Sequence, residues 1–282
     1  MNVRGFRPVR RVGLVPHPNR DTAAQLVAQA TERLAADGIE VRCPQSEGGT
    51  DLDTTDLDVV ISLGGDGTML RAVDTAYEAG VPVLGVNVGQ MGYLTEVEPS
   101  EFGVALDRLV TGEFEVADRM VLEMTVDSAG SAAGRWFALN EAVLEKVHTG
   151  RLVRLEVDIN DTFFTTYAAD GVIIATPTGS TAYSFSARGP IVSPRHRCVL
   201  LTPVSPHMLF DRSLVLAPEE TLRFTICDDR SVVLTTDGRE LGELAAGDMV
   251  SCRGGDRSAH IVTFGPRDFH QILKAKFGLA DR

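Results

Sequence analysis

Residues 59–70 read Val-Val-Ile-Ser-Leu-Gly-Gly-Asp-Gly-Thr-Met-Leu, and this stretch decides the fold. The apolar, β-branched run from Val59 to Leu63 reads as a buried parallel strand that ends abruptly in Gly64-Gly65-Asp66-Gly67-Thr68. Three glycines around one carboxylate let the backbone turn sharply and approach a ligand, with amides free to face phosphate or ribose oxygens. Helical spacing from Met69 to Ala79 puts this loop at the carboxyl end of a strand and the start of a helix. Open α/β sheets bind their ligands there. Asp66 is the only acid in the loop, and an anion among phosphate-facing amides would repel a phosphate. It makes better sense as a proton acceptor or a magnesium partner in phosphoryl transfer; the plain alternative is an Asp N-cap on a strand-to-helix turn.

The same alternation surrounds the loop on both sides. Val9–Val15 reads as a strand. The stripe Ala24, Leu26, Val27, Ala30 and Leu34 predicts a helix over Asp21–Asp37 closed by Gly38. Ile39–Cys43, Leu57–Leu63 and Val81–Val86 read as further strands, Pro44–Asp56 as a polar loop, and 99–111 as a helix. Strands separated by helices of this length imply a parallel sheet with right-handed crossovers. From about Glu115 short alternating runs take over, among them Leu122–Val126, Arg135–Val147, Leu152–Ile159, Phe163–Ala169, Val172–Thr176, Val199–Pro203, Leu222–Cys227, Val232–Thr236 and Ala259–Phe264. Turn signals such as Asn160-Asp161 and Asp237-Gly238 separate them. The expected architecture is a Rossmann-like parallel α/β domain over 1–114 and a β-sandwich-type domain over 115–265. A carboxy-terminal helix within 266–282, spanning Arg267–Phe277, then returns to the first domain.

A net charge of −12 disfavours non-specific nucleic-acid binding but leaves room for a nucleotide held by local arginines. Arg4, Arg7, Arg10 and Arg11 precede no long apolar run, so they read as an exposed arm rather than a signal or membrane anchor. Cys43, Cys198, Cys227 and Cys252 match no metal spacing. Cys198 and Cys227 lie in apolar runs and are expected to be buried free thiols, which fits a reducing cytoplasm.

Three further stretches carry chemistry. Asn87-Val88-Gly89-Gln90-Met91-Gly92-Tyr93-Leu94 follows the fourth strand and belongs beside the first loop; Tyr93 is a candidate for stacking on a ring, or a core aromatic. Asn140-Glu141 falls inside a strand-like run, where adjacent side chains face opposite ways. Their donors and acceptors suit ribose or adenine. The longest stretch, Asp170-Gly-Val-Ile-Ile-Ala-Thr-Pro-Thr-Gly-Ser-Thr-Ala-Tyr183-Ser184, runs from a strand into a hydroxyl-rich turn. Thr178, Ser180 and Thr181 are placed to hydrogen-bond a nucleotide, and Tyr183 to cover a ring. His207 reads as structural, because Asp66 already supplies the acid/base group; the other histidines form no ligand constellation.

These motifs, in this order, resemble those of the bacterial NAD kinases, as does Pro203-Val-Ser-Pro-His207 followed by Arg212-Ser-Leu-Val215. The match runs from about Val9 to Phe277. Gly-Gly-Asp-Gly-Thr alone is shared with diacylglycerol, sphingosine and phosphofructo-kinases; Thr-Pro-Thr-Gly-Ser-Thr-Ala-Tyr is far more restricted. The resemblance implies phosphoryl transfer from ATP or polyphosphate, with a divalent metal (usually magnesium), to the adenosine 2′-hydroxyl of NAD. It makes Asp66 the proton acceptor, sets Gly67 against the ribose, sends Arg71 to a phosphate, and leaves Gly64, Gly65 and Thr68 as the phosphate loop. Asn140 and Glu141 would hold the adenosine, Arg151 the pyrophosphate, and Asp170 the nicotinamide end. Thr181, Ala182, Tyr183, Ser184 and Ser186 would line the adenine side, partly from a neighbouring subunit of a homodimer or homotetramer. Departures from the family pattern are Arg188, where glycine is common, Arg239, where glutamine is common, and the basic Pro194-Arg195-His196-Arg197. A kinase of the same fold acting on a nucleoside or a lipid is the alternative. A non-catalytic dinucleotide sensor is disfavoured because the expected catalytic residues are present. A dehydrogenase is disfavoured because no Gly-x-Gly-x-x-Gly follows the first strand.

Overall fold

The computed structural model describes residues 9–44, 51–89, 92–228, 230–265 and 268–279. Arg4, Arg7, Gln90, Met91, Arg267 and residues 45–50 of the polar loop lie outside the described residues. The chain divides into two compact units, Met1–Asp118 with Ala259–Arg282, and Arg119–Ser258.

The first unit is built from strands β1 (Arg11–Pro16), β2 (Glu40–Arg42), β3 (Val59–Gly64) and β4 (Val83–Asn87) with helices α1 (Asp21–Ala36), α2 (Asp66–Tyr77) and α3 (Phe102–Thr111). The strands are parallel in the order β2-β1-β3-β4, and Ile261 of the chain's last strand adds beside Val83. One face of the sheet (Val12, Leu14, Ile61, Leu63, Leu84, Val86) packs against Leu26, Ala30 and Leu34 of α1 and Phe102, Leu106 and Leu109 of α3. Each such fully buried leucine stabilises by about 1.5–3 kcal/mol. Ala23 rather than Ala24 points inward from α1, a shift of one position in the expected stripe. The opposite face carries α2, whose Met69 Sδ would lie 3.1 Å from a Cβ added at Gly85. α3 ends on Gly112 at φ 77, a left-handed position that glycine adopts without strain. The chain leaves β1 through α1 to one side and β3 through α2 to the other. The carboxyl ends of β1 and β3, tied by the His17 amide on Leu63 O (2.9 Å), are therefore the topological switch point.

The second unit is a sandwich of antiparallel strands. Its strands run from β5 (Glu115–Asp127), β6 (Gly134–Ala138), β7 (Glu141–Lys146), β8 (Val153–Ile159), β9 (Thr162–Ala169) and β10 (Gly171–Ala175) through the short helix α4 (Tyr183–Ser186). They continue with β11 (Val199–Val204), β12 (Leu214–Leu216), β13 (Leu222–Ile226), β14 (Val232–Thr236), β15 (Arg239–Leu244) and β16 (Met249–Thr263); helix α5 (Phe269–Phe277), which follows, belongs to the first unit. One sheet is ordered β12-β11-β10-β7-β14-β15. Its inward residues Leu144, Ile174, Leu201 and Leu234 meet Leu122, Leu155, Tyr167, Phe224 and Val250 from β5, β8, β9, β13 and β16. The other face of that sheet is also covered: Val143, Ile173, Ala175 and Leu200 lie under Tyr183, Ala187 and Val192.

Several expectations are corrected here. Asn140 and Glu141 are not inside one strand. The run 135–147 breaks between β6 and β7, with Asn140 at the bend and Glu141 opening β7. Strands β12, β15 and the first half of β16 were not foreseen. β16 continues through Gly254-Gly255, where added Cβ atoms would meet Pro218 O at 2.8 Å and Val121 Cγ2 at 2.7 Å. Those glycines permit close strand neighbours instead of marking a turn. Cys227 lies just past the end of β13 and is exposed, whereas Cys198 and Cys252 are buried.

Candidate active site

In the first unit the glycine loop is made by sterics and helix geometry together. A Cβ on Gly64 would sit 2.1 Å from Thr68 Oγ1, so only glycine lets β3 turn directly into α2. Gly65 is the N-cap residue, and its carbonyl accepts from the Thr68 and Met69 amides at 3.0 Å. The helix begins at Asp66, three residues earlier than its apolar spacing indicates, so the acid stands in the first helical turn. Nothing lies within 4 Å of a Cβ added at Gly65 or Gly67, leaving the backbone open to a ligand. The Asp66 and Gly67 amides stand at the helix N-terminus, where an anion is favoured.

Asp66 itself is held by the loop after β4. Its Oδ2 accepts from the Tyr93 amide (2.9 Å) and its Oδ1 from the Leu94 amide (3.0 Å). Gly92 is buried, and a Cβ there would come within 2.1 Å of Asp66 Oδ1. The two loops thus meet as expected, and Gly92 is what allows it. Each carboxylate oxygen keeps lone-pair capacity for a hydroxyl proton or a cation. The Tyr93 ring is covered by Lys276 Nζ of α5, 4.0 Å from its centroid. Arg71, one turn along α2, donates to Thr68 Oγ1 at 3.3 Å. Burial and the charges of Arg20 and Arg71 lower the pKa of His17. A group of basic residues at the switch point therefore surrounds a histidine that the sequence spacing had left without a role.

In the second unit the remaining candidates gather at the two ends of β7 and β10. Glu141 pairs with Ala175 in register, and Glu145 with Gly171. At the first end lie Asn140, Glu141 and the turn 176–182. Glu141 is buried with an unpartnered Oε2, and burial first, then the Asp237 charge, push its pKa up to about 8 against the opposing Tyr183 amide. Thr178, Thr181 and Ala182 are half-buried in the turn, and Ser186 is exposed. Ser180 is a correction. It is fully buried, donates to Pro177 O (2.7 Å) and accepts from the Val192 amide (3.0 Å), so its hydroxyl fastens the turn and does not face a ligand. Ser184 is likewise buried, with its Oγ 3.2 Å from Thr202 Oγ1.

At the opposite end Asp170 forms an ion pair with Lys146, a partner the sequence did not disclose. Five residues of β10 separate the two ends, about 17 Å of extended chain. A ligand reaching both must be elongated. Tyr183 lies between the ends: its amide bonds Glu141, and its hydroxyl lies 3.4 Å from Glu145 Oε1. Arg151 is exposed in the turn after β7. His207 is exposed and gives its amide to Ala168 O (2.8 Å). Arg188 holds φ 67, a left-handed conformation that glycine adopts without strain, and the Arg239 guanidinium lies over Trp136 (5.5 Å).

Among the described residues no group of three or more His, Cys, Asp or Glu is arranged to hold a metal ion. A magnesium ion would instead ride on nucleotide phosphates and water, with Asp66 able to supply one further oxygen; the residues present fit that mode.

A parallel sheet with a carboxylate at its switch-point glycine loop, joined in one chain to a β-sandwich with a hydroxyl-rich turn, defines a nucleotide-using phosphotransferase. Residues 45–114 match the model of the ATP-NAD kinase N-terminal domain, and residues 139–264 that of the ATP-NAD kinase C-terminal domain. The NAD kinase of Syntrophotalea carbinolica is 36% identical over 285 residues, covering 97% of this chain and 100% of its own. The chain belongs to the NAD kinase family. Yeast NADH kinase, solved with NADH, shares the fold with a TM-score of 0.87 at 24% identity, covering 98% of this chain and 89% of that one. An NAD kinase from Archaeoglobus fulgidus, solved with ATP, does so with a TM-score of 0.73 at 24% identity, covering 96% and 100%. The nucleoside- and lipid-kinase alternatives find no support in these matches. Among the described residues no helix is long and apolar enough to cross a membrane.

Proposed function

We propose that the chain transfers the γ-phosphoryl group of ATP to the 2′-hydroxyl of the adenosine ribose of NAD, giving NADP and ADP. The 2′-oxygen attacks the γ-phosphorus, the bond to the β,γ-bridging oxygen breaks, and the hydroxyl proton passes to Asp66. The observation that carries this reading is the Asp66 carboxylate, fixed by the Tyr93 and Leu94 amides beside an open glycine backbone. A general base must be held where the proton leaves, and these two bonds hold it. Gly64, Gly65, Gly67 and Thr68 form the phosphate loop, and Arg71 adds charge. Asn140 and Glu141 receive the adenosine, Thr178, Thr181, Ala182, Tyr183 and Ser186 the adenine side, Arg151 the pyrophosphate, and Asp170 the nicotinamide end. Magnesium, when bound with the donor, neutralises charge on the transferred phosphoryl group. Polyphosphate is a second donor to test. A cytoplasmic homodimer or homotetramer, assembled through the β-rich part, completes the reading.

A coupled assay for NADP with ATP and magnesium tests the reaction. Asp66→Asn should lower kcat by about 10²–10⁴-fold while calorimetry shows NAD still bound. Wild-type turnover in that variant would refute the mechanism. No NADP with any donor would refute the activity.

A further inference from the structure

The hairpin between β14 and β15 turns on Asp237 (φ 49) and Gly238 (φ 79), a pair of left-handed residues suited to a two-residue turn. The turn alone does not require a carboxylate, because Asn-Gly serves it equally well. What the carboxylate does is accept three successive amides of the bend before β7. Leu139 N donates to Oδ2 at 2.7 Å, and Asn140 N and Glu141 N donate to Oδ1 at 2.8 and 3.1 Å. In return the Asp237 amide donates to Glu141 O at 3.0 Å.

The far side of the bend is held as firmly. Thr176 N donates to Asn140 O at 2.8 Å, and Thr176 Oγ1 to Leu139 O at 2.5 Å. Gly179 packs so close that a Cβ there would lie 2.1 Å from Asn140 O. Every backbone polar group from Leu139 O to Glu141 O is therefore engaged, so the backbone that carries the two side chains of the bend is fixed.

We propose that Asp237 is a positioning residue for NAD: its carboxylate fixes the bend that presents Asn140 and Glu141 to the adenosine. The proposal rests on the assignment of Asn140 and Glu141 to NAD. An Asn side chain at 237 offers one acceptor oxygen and turns an NH₂ toward the amides, so it preserves the hairpin while breaking the clamp. Asp237→Asn in the full-length enzyme should raise both the KM and the calorimetric Kd for NAD by about tenfold. KM for ATP should stay within about twofold.

A residue acting only on stability would not single out NAD, nor would it couple to the bend. In an Asn140→Ala/Glu141→Ala background, Asp237→Asn should therefore weaken NAD binding by less than about twofold. Full multiplication of the two effects, or wild-type NAD affinity in Asp237→Asn, would overturn the proposal. Unchanged NAD affinity in Asn140→Ala/Glu141→Ala would instead overturn the parent assignment. Should Asp237→Asn fail to fold, amide exchange in the wild-type enzyme decides. Protected Leu139, Asn140 and Glu141 amides are expected, and exchange at the rate of an open loop would end the case.

Discussion

Replacing Glu141 by Gln tests the electrostatics of the bend directly. The Glu141 carboxyl titrates at an ordinary 4.5 in the unfolded chain and at about 8 in the fold, because it is buried beside Asp237. Between those values the native state holds a proton that the unfolded state has released. Stability conferred by this group is therefore full below the unfolded pKa and declines as pH rises toward the folded one. The slope is about 1.4 kcal/mol per pH unit for one proton. Over the whole window the loss amounts to several kcal/mol, a large share of a typical domain's stability. Gln has the shape of the protonated acid and does not titrate. Glu141→Gln should therefore flatten the fall in stability by about that slope between pH 5 and pH 8, and the variant should exceed wild type at pH 8. Urea unfolding at several pH values measures it. The chain's single tryptophan, Trp136 in β6, reports on the second unit alone. Parallel stability-against-pH curves for variant and wild type would show that Glu141 is ionised in the fold at neutral pH, and the argument would fail.

Other outcomes follow from the same geometry. Gly92→Ala drives a methyl against Asp66 Oδ1; displacing the base by about 1 Å should lower kcat by roughly 10²-fold, and unchanged kcat would show that the acid needs no such fit. Arg188→Gly relieves a left-handed arginine at an exposed position. It should stabilise by about 0.5–1 kcal/mol after the entropy of the unfolded glycine is counted, visible as a rise of a few degrees in Tm. An unchanged or lower Tm would contradict it. Chelation by EDTA should abolish turnover, restored by magnesium, without moving Tm, because the described residues form no cluster of three metal ligands. A fall in Tm on chelation would reveal a structural metal.

The parts of the site legible in the sequence are those where a backbone constraint and a chemical group are neighbours in the chain. Gly64 to Thr68 is such a case: Gly64, forced by the Thr68 contact, stands two residues before the acid. The parallel strands around it were equally legible, since buried β-branched runs alternating with helical stripes admit few other arrangements. Asp237 shows the opposite case. It lies 96–98 positions from the amides it binds, and only the pairing of β14 with β7 brings them together. Lys146 found Asp170 in the same way, through the register of β7 with β10. Alternation also misplaced Asn140. The Phe137–Val147 run reads as one strand because the residues that break it, Thr176 and Asp237, are elsewhere in sequence. Ser180 misled for a different reason: a hydroxyl that fastens a turn and one that meets a ligand look alike until the Val192 contacts are seen.

The first unit is discontinuous in the chain, and its final helix places Lys276 on the Tyr93 ring, next to the amide that steadies Asp66. The amino end is translated first, so the base is made well before the lysine that covers the ring beside it. Until Ile261 and Lys276 have been added, the growing polypeptide lacks the strand beside Val83 and the cover over Tyr93. The loop that steadies Asp66 is thereby completed only by residues made much later in the chain.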